Sequence, residues 1–348
     1  MKMPKVYVGR VAYGWEDGGS GWNYLSEKNK RKFAEFSCPL VDDSGPRTPN
    51  EDELIEKLAG ARAVLLPNGC SGAGITERVL RKAGSIEVIV MAHSAWGGPF
   101  MEAAAKLGIK TAEGSNAIDM AVAEWTVATA IMGRRNLIAA GRSLKEDGIW
   151  QKDWRKASLL LGSTVGLVGL GRIGRIAVRH FRALGTDVIA YDKYLDPVKA
   201  AELGVKLVGL DELLASADVV SLHLPVTPET TGILGAREFA LIKDHAVFLN
   251  SARAALYDSD ALAKELAKGR FQAFFDVYPD EDEMHGDQGC VNQTHPFYKA
   301  VHKLDNVYLS SHIAGTNDVM YERAGAESIE TLRRYFAGEG LRDARNAG

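Results

Sequence analysis

The sequence predicts an α/β fold of two doubly wound parallel-sheet domains with a cleft between them, one domain inserted into the other. Three observations predict it. Short apolar runs alternate with stretches of helical spacing along most of the chain, and such alternation builds parallel sheets. A glycine-rich strand-to-helix turn comes only near the middle, in "VGLVGLGRIGRIAVRHFRALGTDVIAYDKY", Val165 to Tyr194. Two long apolar-periodic segments, "AVAEWTVATAIMGRRNLIAAG" and "MYERAGAESIETLRRYFAG", flank the part that follows from that turn. As helices crossing between domains, they return the C-terminus to the first domain.

In order along the chain, "KVYVG", "ARAVLLP" and "IEVIVMAHS" read as strands, with "EDELIEKLAG" and "TERVLRKAG" as helices between them. This is a first α/β domain, and its aromatic, glycine-rich "YGWEDGGSGWNY" is either a lid or a surface loop. Thr164 to Val168 then opens a second, Rossmann-like domain, with Gly169, Gly171 and Gly174 forming G-x-G-x-x-G. The first glycine permits the tight turn, the second lets backbone approach a pyrophosphate, and the third lets the helix pack closely on the strand. The helix N-terminus offers free amides to phosphate. The next strand, "DVIAY", ends at Asp192, where an acid holds both ribose hydroxyls of NAD and repels the 2′-phosphate of NADP. Further strands are expected at "ADVVSLHLP", "HAVFLN", "FQAFFDV" and "NVYLSSH", separated by helical "EFALIK" and "DSDALAKELAKG". The polar, acidic "DEDEMHGDQGCVNQT" reads as a surface loop. The expected division is therefore 1–117 with 316–348 as substrate domain and 118–315 as NAD-binding domain.

The 348 residues are enough for two well-filled cores. With 46% hydrophobic and 25% charged residues, the composition is that of an ordinary soluble protein. A net charge of −3 gives no basic footprint for nucleic acid or an anionic membrane. Cys38, Cys70 and Cys290 lie far apart with no C-x-x-C, which argues against a disulfide framework or zinc site. His93, His285, His295 and His302 match no metal-ligand spacing, so no metal is expected. The N-terminus lacks an apolar core of signal-peptide length, and no window reaches the roughly 18 apolar residues of a membrane span. A reducing cytoplasm is the expected compartment.

From about Ile86 onward, and most strongly from Gly162 to Gly315, the chain resembles the D-isomer-specific 2-hydroxyacid dehydrogenases. "NSARAALYD" resembles the segment with that family's substrate arginine, which falls on Arg253. "DVYPDE" resembles the segment whose aspartate meets the nicotinamide amide and whose acid five residues later supports the catalytic histidine, here Asp276 and Glu281. "NVYLSSHIAG" resembles the segment ending in that histidine, His312, and "HLPVTPET" the strand and loop beside the adenosine. The resemblance thus implies catalytic roles for Arg253, Glu281 and His312. It implies coenzyme contacts at Gly169, Gly171, Arg172, Ile173, Gly174, Asp192, His223, Pro225, Thr231, Ser251, Ala252, Asp276 and Gly315. The acidic neighbours Asp280, Asp282 and Glu283 leave the register of Glu281 open by a residue.

The chemistry is consistent with these residue types. A 2-oxo acid needs its carboxylate anchored, its carbonyl polarised and a proton delivered as hydride arrives. Arginine's planar fork suits the carboxylate, and histidine exchanges protons near neutral pH. A carboxylate behind the histidine fixes its tautomer and stabilises its cation. The first domain departs from the family's pattern. Where a small glycine-rich loop holds the substrate carboxylate, this chain has Ser94, Ala95 and Trp96, and the bulky Trp96 either reshapes the pocket or wedges the domain interface. Asn116 stands two residues further from Glu124 than the family spacing, which weakens a role for it. The expectation is an NAD-dependent enzyme interconverting a small 2-oxo acid and a D-2-hydroxy acid, and the resemblance implies a homodimer. The rival is a non-catalytic NAD-sensing interaction protein of the same fold. Formate dehydrogenases carry glutamine where Glu281 stands, which argues against formate.

Overall fold

The structure, a computed structural model, describes residues 4–9, 27–35, 40–42, 49–66, 74–91, 99–114, 116–150, 157–284, 290–317 and 319–341. Ser94, Ala95, Trp96, His93, His285, Cys38, Cys70 and the aromatic segment 13–24 lie outside the described residues. The chain forms two compact units, Met1–Ile118 with Asn317–Gly348, and Asp119–Thr316.

The first unit runs β1 (Val6–Val8), α1 (Glu27–Ala34), β2 (Leu40–Asp42), α2 (Glu51–Leu58), β3 (Ala63–Leu66), α3 (Glu77–Ala83), β4 (Val88–Met91), α4 (Pro99–Lys106) and β5 (Lys110–Glu113). The helix starts are fixed locally. Asn50 and Glu53 close a capping box on α2, and Thr76 accepts from Val79 N at the head of α3. The strands pair in parallel in the order β2-β1-β3-β4-β5. Successive residues alternate between two cores, with Tyr7, Val64, Leu66, Ile89 and Met91 on one face and Val6, Val8, Leu65, Val88 and Val90 on the other. A parallel sheet covered on both sides reads as such continuous apolar runs.

The chain enters the second unit through α5 (Ala117–Arg134) and α6 (Leu137–Lys145). The apolar periodicity of this segment predicts one helix. Asn136 instead takes the left-handed conformation, φ 50°, which asparagine tolerates, and splits the segment. There follow β6 (Thr164–Val168), α7 (Arg172–Ala183), β7 (Asp187–Tyr191), α8 (Pro197–Glu202), β8 (Lys206–Leu207), α9 (Leu210–Ser216), β9 (Val219–Leu222) and α10 (Ala236–Leu241). The unit continues with β10 (Val247–Asn250), a 3₁₀ turn (Ala254–Leu256), α11 (Ser259–Leu266), β11 (Gln272–Phe275), α12 (Glu281–Met284), α13 (Pro296–Val301) and β12 (Val307–Leu309). The last helix, α14 (Met320–Phe336), belongs to the first unit.

The seven strands of the second unit, all parallel, lie in the order β12-β11-β10-β9-β6-β7-β8. This is a doubly wound sheet whose chain direction reverses between β6 and β9, where open α/β sheets bind ligands at the carboxyl ends of strands. Phe239, Phe248, Phe275 and Phe297 pack edge to face, with centroids 5.8 to 6.1 Å apart, on one side of it. Among the described residues no helix is long and apolar enough to cross a membrane.

Candidate active site

Parallel pairing puts the carboxyl ends of β6, β7, β9, β10, β11 and β12 along one edge, and Gly169, Asp192, His223, Ser251, Arg253, Asp276 and His312 each follow one of those ends closely. Gly169 ends β6 with φ +104°, and a Cβ there would lie 2.8 Å from His223 O on the neighbouring strand end. A Cβ on Gly174 would come within 2.4 Å of Gly169 O, so only glycine lets α7 pack on this turn. Gly171, at the N-cap of α7, faces open space, with nothing within 4 Å of a would-be Cβ. Arg172 turns its guanidinium to the buried Asp119, Nε to Oδ2 2.9 Å, and Ile173 packs on the core beneath the sheet.

Asp192 is held by three backbone amides. Leu170 N donates to Oδ2 at 2.8 Å, and Tyr194 N and Leu195 N donate to Oδ1 at 3.0 Å. The carboxylate is thereby fixed against the glycine turn. Past β9, His223 Nε2 lies 3.0 Å from Ser221 Oγ, and burial lowers its pKa to about 4, so the ring is neutral. The loop beyond is braced internally, with Thr230 Oγ1 donating to Pro225 O at 2.6 Å and Thr231 Oγ1 to Thr227 O at 2.7 Å.

Past β10, the buried Asn250 braces the Ser251–Arg253 turn: its Oδ1 accepts from Ala252 N at 2.9 Å and its Nδ2 donates to Arg253 O at 3.1 Å. Ser251 Oγ is buried with no hydrogen-bond partner among the described residues. Arg253 is exposed, one Nη1–H donating to Ala252 O at 2.6 Å. A cavity of about 300 Å³ lies beside it, lined also by Tyr257, Tyr278, Pro279 and Asp280.

Past β11 and β12 two loops lock together. Asp276 is 1% exposed and accepts from Ser310 Oγ at 2.6 Å, Ile313 N at 2.9 Å and Ala314 N at 2.7 Å. Tyr278 OH donates to Ser310 O at 2.5 Å, the carbonyl that also accepts from His312 N at 3.1 Å. These bonds hold His312 in the left-handed region, φ 53°, a strained setting for a residue with a side chain. Gly315 closes the same turn, beside Thr316 N bonded to Ile313 O at 2.8 Å. Asp280, at φ 45°, turns the chain into α12, whose first residue is Glu281. Glu281 Oε1 is 2.6 Å from His312 Nδ1. Hydrogen bonding to Glu281 raises the His312 pKa; burial opposes it, the charges of Glu281 and Asp276 add to it, and Arg253 subtracts.

The structure therefore brings His312 and Glu281 into contact and places Arg253 within electrostatic reach of the same imidazole. Asp276, just past β11, points its carboxylate at the histidine loop. Asn250 and Tyr278 carry no signal in the sequence for their bracing tasks, because their partners appear only in three dimensions. The open face of Gly171, the amides heading α7 and the unpartnered Ser251 Oγ together fit a dinucleotide whose pyrophosphate lies on the helix. Among the described residues no group of three metal-ligating side chains occurs.

Residues 127–314 match the family model described as D-isomer specific 2-hydroxyacid dehydrogenase, NAD binding domain. A D-3-phosphoglycerate dehydrogenase of Mycobacterium bovis is 32% identical over 301 residues, covering 86% of this chain and 54% of that protein. The chain thus spans about half the length of such relatives. A hydroxypyruvate reductase of Thermotoga maritima is 30% identical over 287 residues, covering 81% of this chain and 87% of that one. The NAD-complexed D-isomer specific 2-hydroxyacid dehydrogenase of Lactobacillus delbrueckii ssp. bulgaricus superposes with a TM-score of 0.79 over 98% of this chain and 100% of that one. At 22% identity, that likeness is one of fold.

Proposed function

Because the chain belongs to the D-isomer specific 2-hydroxyacid dehydrogenase family, we propose that it is an oxidoreductase interconverting a 2-oxo acid and a D-2-hydroxy acid. The match of residues 127–314 to that family's NAD-binding domain supports the reading. The observation that carries the reading is the contact of 2.6 Å between His312 Nδ1 and Glu281 Oε1, on the same sheet edge as Arg253 and the glycine turn.

The glycine turn of Gly169, Gly171 and Gly174 with Asp192 would hold NAD, which when bound would supply hydride to C2 of the substrate as NADH or accept it as NAD+. Arg253 anchors the substrate carboxylate through its planar fork and polarises the carbonyl. With Nδ1 given to Glu281, His312 presents Nε2 as the proton donor in reduction and acceptor in oxidation. Glu281 fixes the ring and stabilises its cation, and Asp276 positions both the nicotinamide and the histidine loop. Asp192 holds the ribose diol, and His223, Pro225, Thr231, Ser251, Ala252 and Gly315 line the rest of the coenzyme edge. The unit of Asp119–Thr316 is on this reading the coenzyme domain, and the discontinuous unit the substrate domain, contributing Ser94, Ala95 and Trp96. A homodimer and a reducing cytoplasm belong to the same proposal, the latter in keeping with the free, exposed Cys290.

The test is NADH oxidation over a panel of glyoxylate, hydroxypyruvate, pyruvate and phosphohydroxypyruvate. Turnover with at least one, abolished in Arg253→Ala with NADH binding retained, is the expected result. NADH binding without turnover on any of them would instead leave a non-catalytic NAD-sensing protein.

A further inference from the structure

Just beyond Asp192 the chain carries a cation, Lys193, and then Tyr194, and both reach across to one carboxylate. Lys193 Nζ pairs with Glu229, and Tyr194 OH donates to the other oxygen of the same group. Glu229 is presented by the loop after β9 that is bonded to itself through Thr227, Thr230 and Thr231. It therefore faces the end of β7 from a braced position, between Pro225 and Thr231 on the proposed adenosine edge.

The charge pattern poses a problem. A dinucleotide site that excludes a 2′-phosphate uses a carboxylate at the strand end, while a site that accepts one places a cation nearby. Here carboxylate and cation are consecutive residues, and a free Lys193 would offset what Asp192 does. We propose that Glu229 is a second determinant of coenzyme choice, holding the Lys193 ammonium away from the ribose 2′ position and adding a negative charge on that side. Tyr194 steadies Glu229 by occupying its second oxygen. An exposed lysine–glutamate pair is weak by itself, with side chains 58% and 42% exposed. Against a phosphate monoester carrying roughly two negative charges, however, both the restrained cation and the added carboxylate act in the same direction.

This inference rests on the reading of Asp192 as the ribose acid, and the experiment separates the two. Titration calorimetry with ADP-ribose and 2′-phospho-ADP-ribose measures binding without any turnover. It is run on the wild type, Asp192→Ser, Glu229→Gln, the double variant and the double variant with Lys193→Ala. Glu229→Gln should tighten the 2′-phosphorylated ligand relative to ADP-ribose by about tenfold in the Asp192→Ser background, and by a smaller factor alone. Lys193→Ala should remove most of that gain, leaving the part due to the lost carboxylate charge. If Glu229→Gln changes both ligands by the same factor in both backgrounds, Glu229 is only a strut of the loop, and if the gain survives Lys193→Ala undiminished, Glu229 does not restrain the lysine; either result overturns the proposal. If Asp192→Ser leaves the ligand preference untouched while Glu229→Gln shifts it, the ribose reading of Asp192 fails and the role of Glu229 stands.

Discussion

His312 combines a left-handed backbone, a carboxylate on Nδ1 and a half-exposed ring, and each has a consequence for proton transfer. The backbone setting costs energy, and the bonds from Asp276 and Tyr278 to its loop oppose relaxation. The carboxylate raises the imidazole pKa, so the protonated form persists to higher pH than in a free histidine. Reduction needs that form. Reductive kcat/KM should be high at low pH and decline as pH rises through the raised pKa, when hydride and proton transfer limit the rate. In Glu281→Gln the amide still orients the ring but no longer supports its charge, so the decline should move to lower pH with turnover at acid pH largely kept. His312→Ala should be slow at every pH, by about a hundredfold or more, since no group remains to supply the proton. A descending limb that stays in place or moves to higher pH in Glu281→Gln would remove Glu281 from the pair.

The β6–α7–β7 unit makes a sharp demand on one glycine, because the atom in its way belongs to the backbone. Because a Cβ on Gly174 would sit 2.4 Å from Gly169 O, Gly174→Ala must push α7 off the turn that its amides serve. The expected loss is about 1–3 kcal/mol in stability, read by chemical denaturation, with weaker ADP-ribose binding; wild-type affinity would mean that the turn adapts. This unit was legible because its signals are local: three spaced glycines and two apolar runs within thirty residues. Elements with no local signal were not. The edge strands β2 and β8 have only three and two residues, and β5 begins with an exposed lysine. The break between α5 and α6 rests on Asn136 in the left-handed region, whereas the glycine nearest it, Gly133, lies inside α5 and does not mark the break. In the site, His312, Glu281 and Arg253 stood in recognisable segments. Tyr278 and Glu229 stood there too, but their tasks depend on Ser310 and on Lys193 and Tyr194, brought close only by strand order.

At the scale of the whole molecule, the second unit exposes several large apolar side chains close together in sequence. Leu137, Leu144, Ile149, Trp150, Leu159 and Leu161 are all more than half exposed and lie within one stretch of chain, with Trp150 at 72%. Ser158 N bonded to Arg134 O brings the end of that stretch back beside α5. Scattered apolar residues need no partner, whereas a run of six rich in leucine and carrying a tryptophan is the composition of an interface core. The proposed homodimer would use such a stretch, since a two-fold dimer uses the same patch on both partners. Light scattering should then give twice the chain mass of 37.7 kDa. Large aromatic side chains carry much of the binding energy at such interfaces, so Trp150→Glu, which alters a side chain already in solvent, should yield a folded monomer. The far-ultraviolet circular dichroism should be unchanged, because the substitution opens no core cavity. A wild type that scatters as a monomer, or a Trp150→Glu variant that remains dimeric, would move the interface away from this stretch.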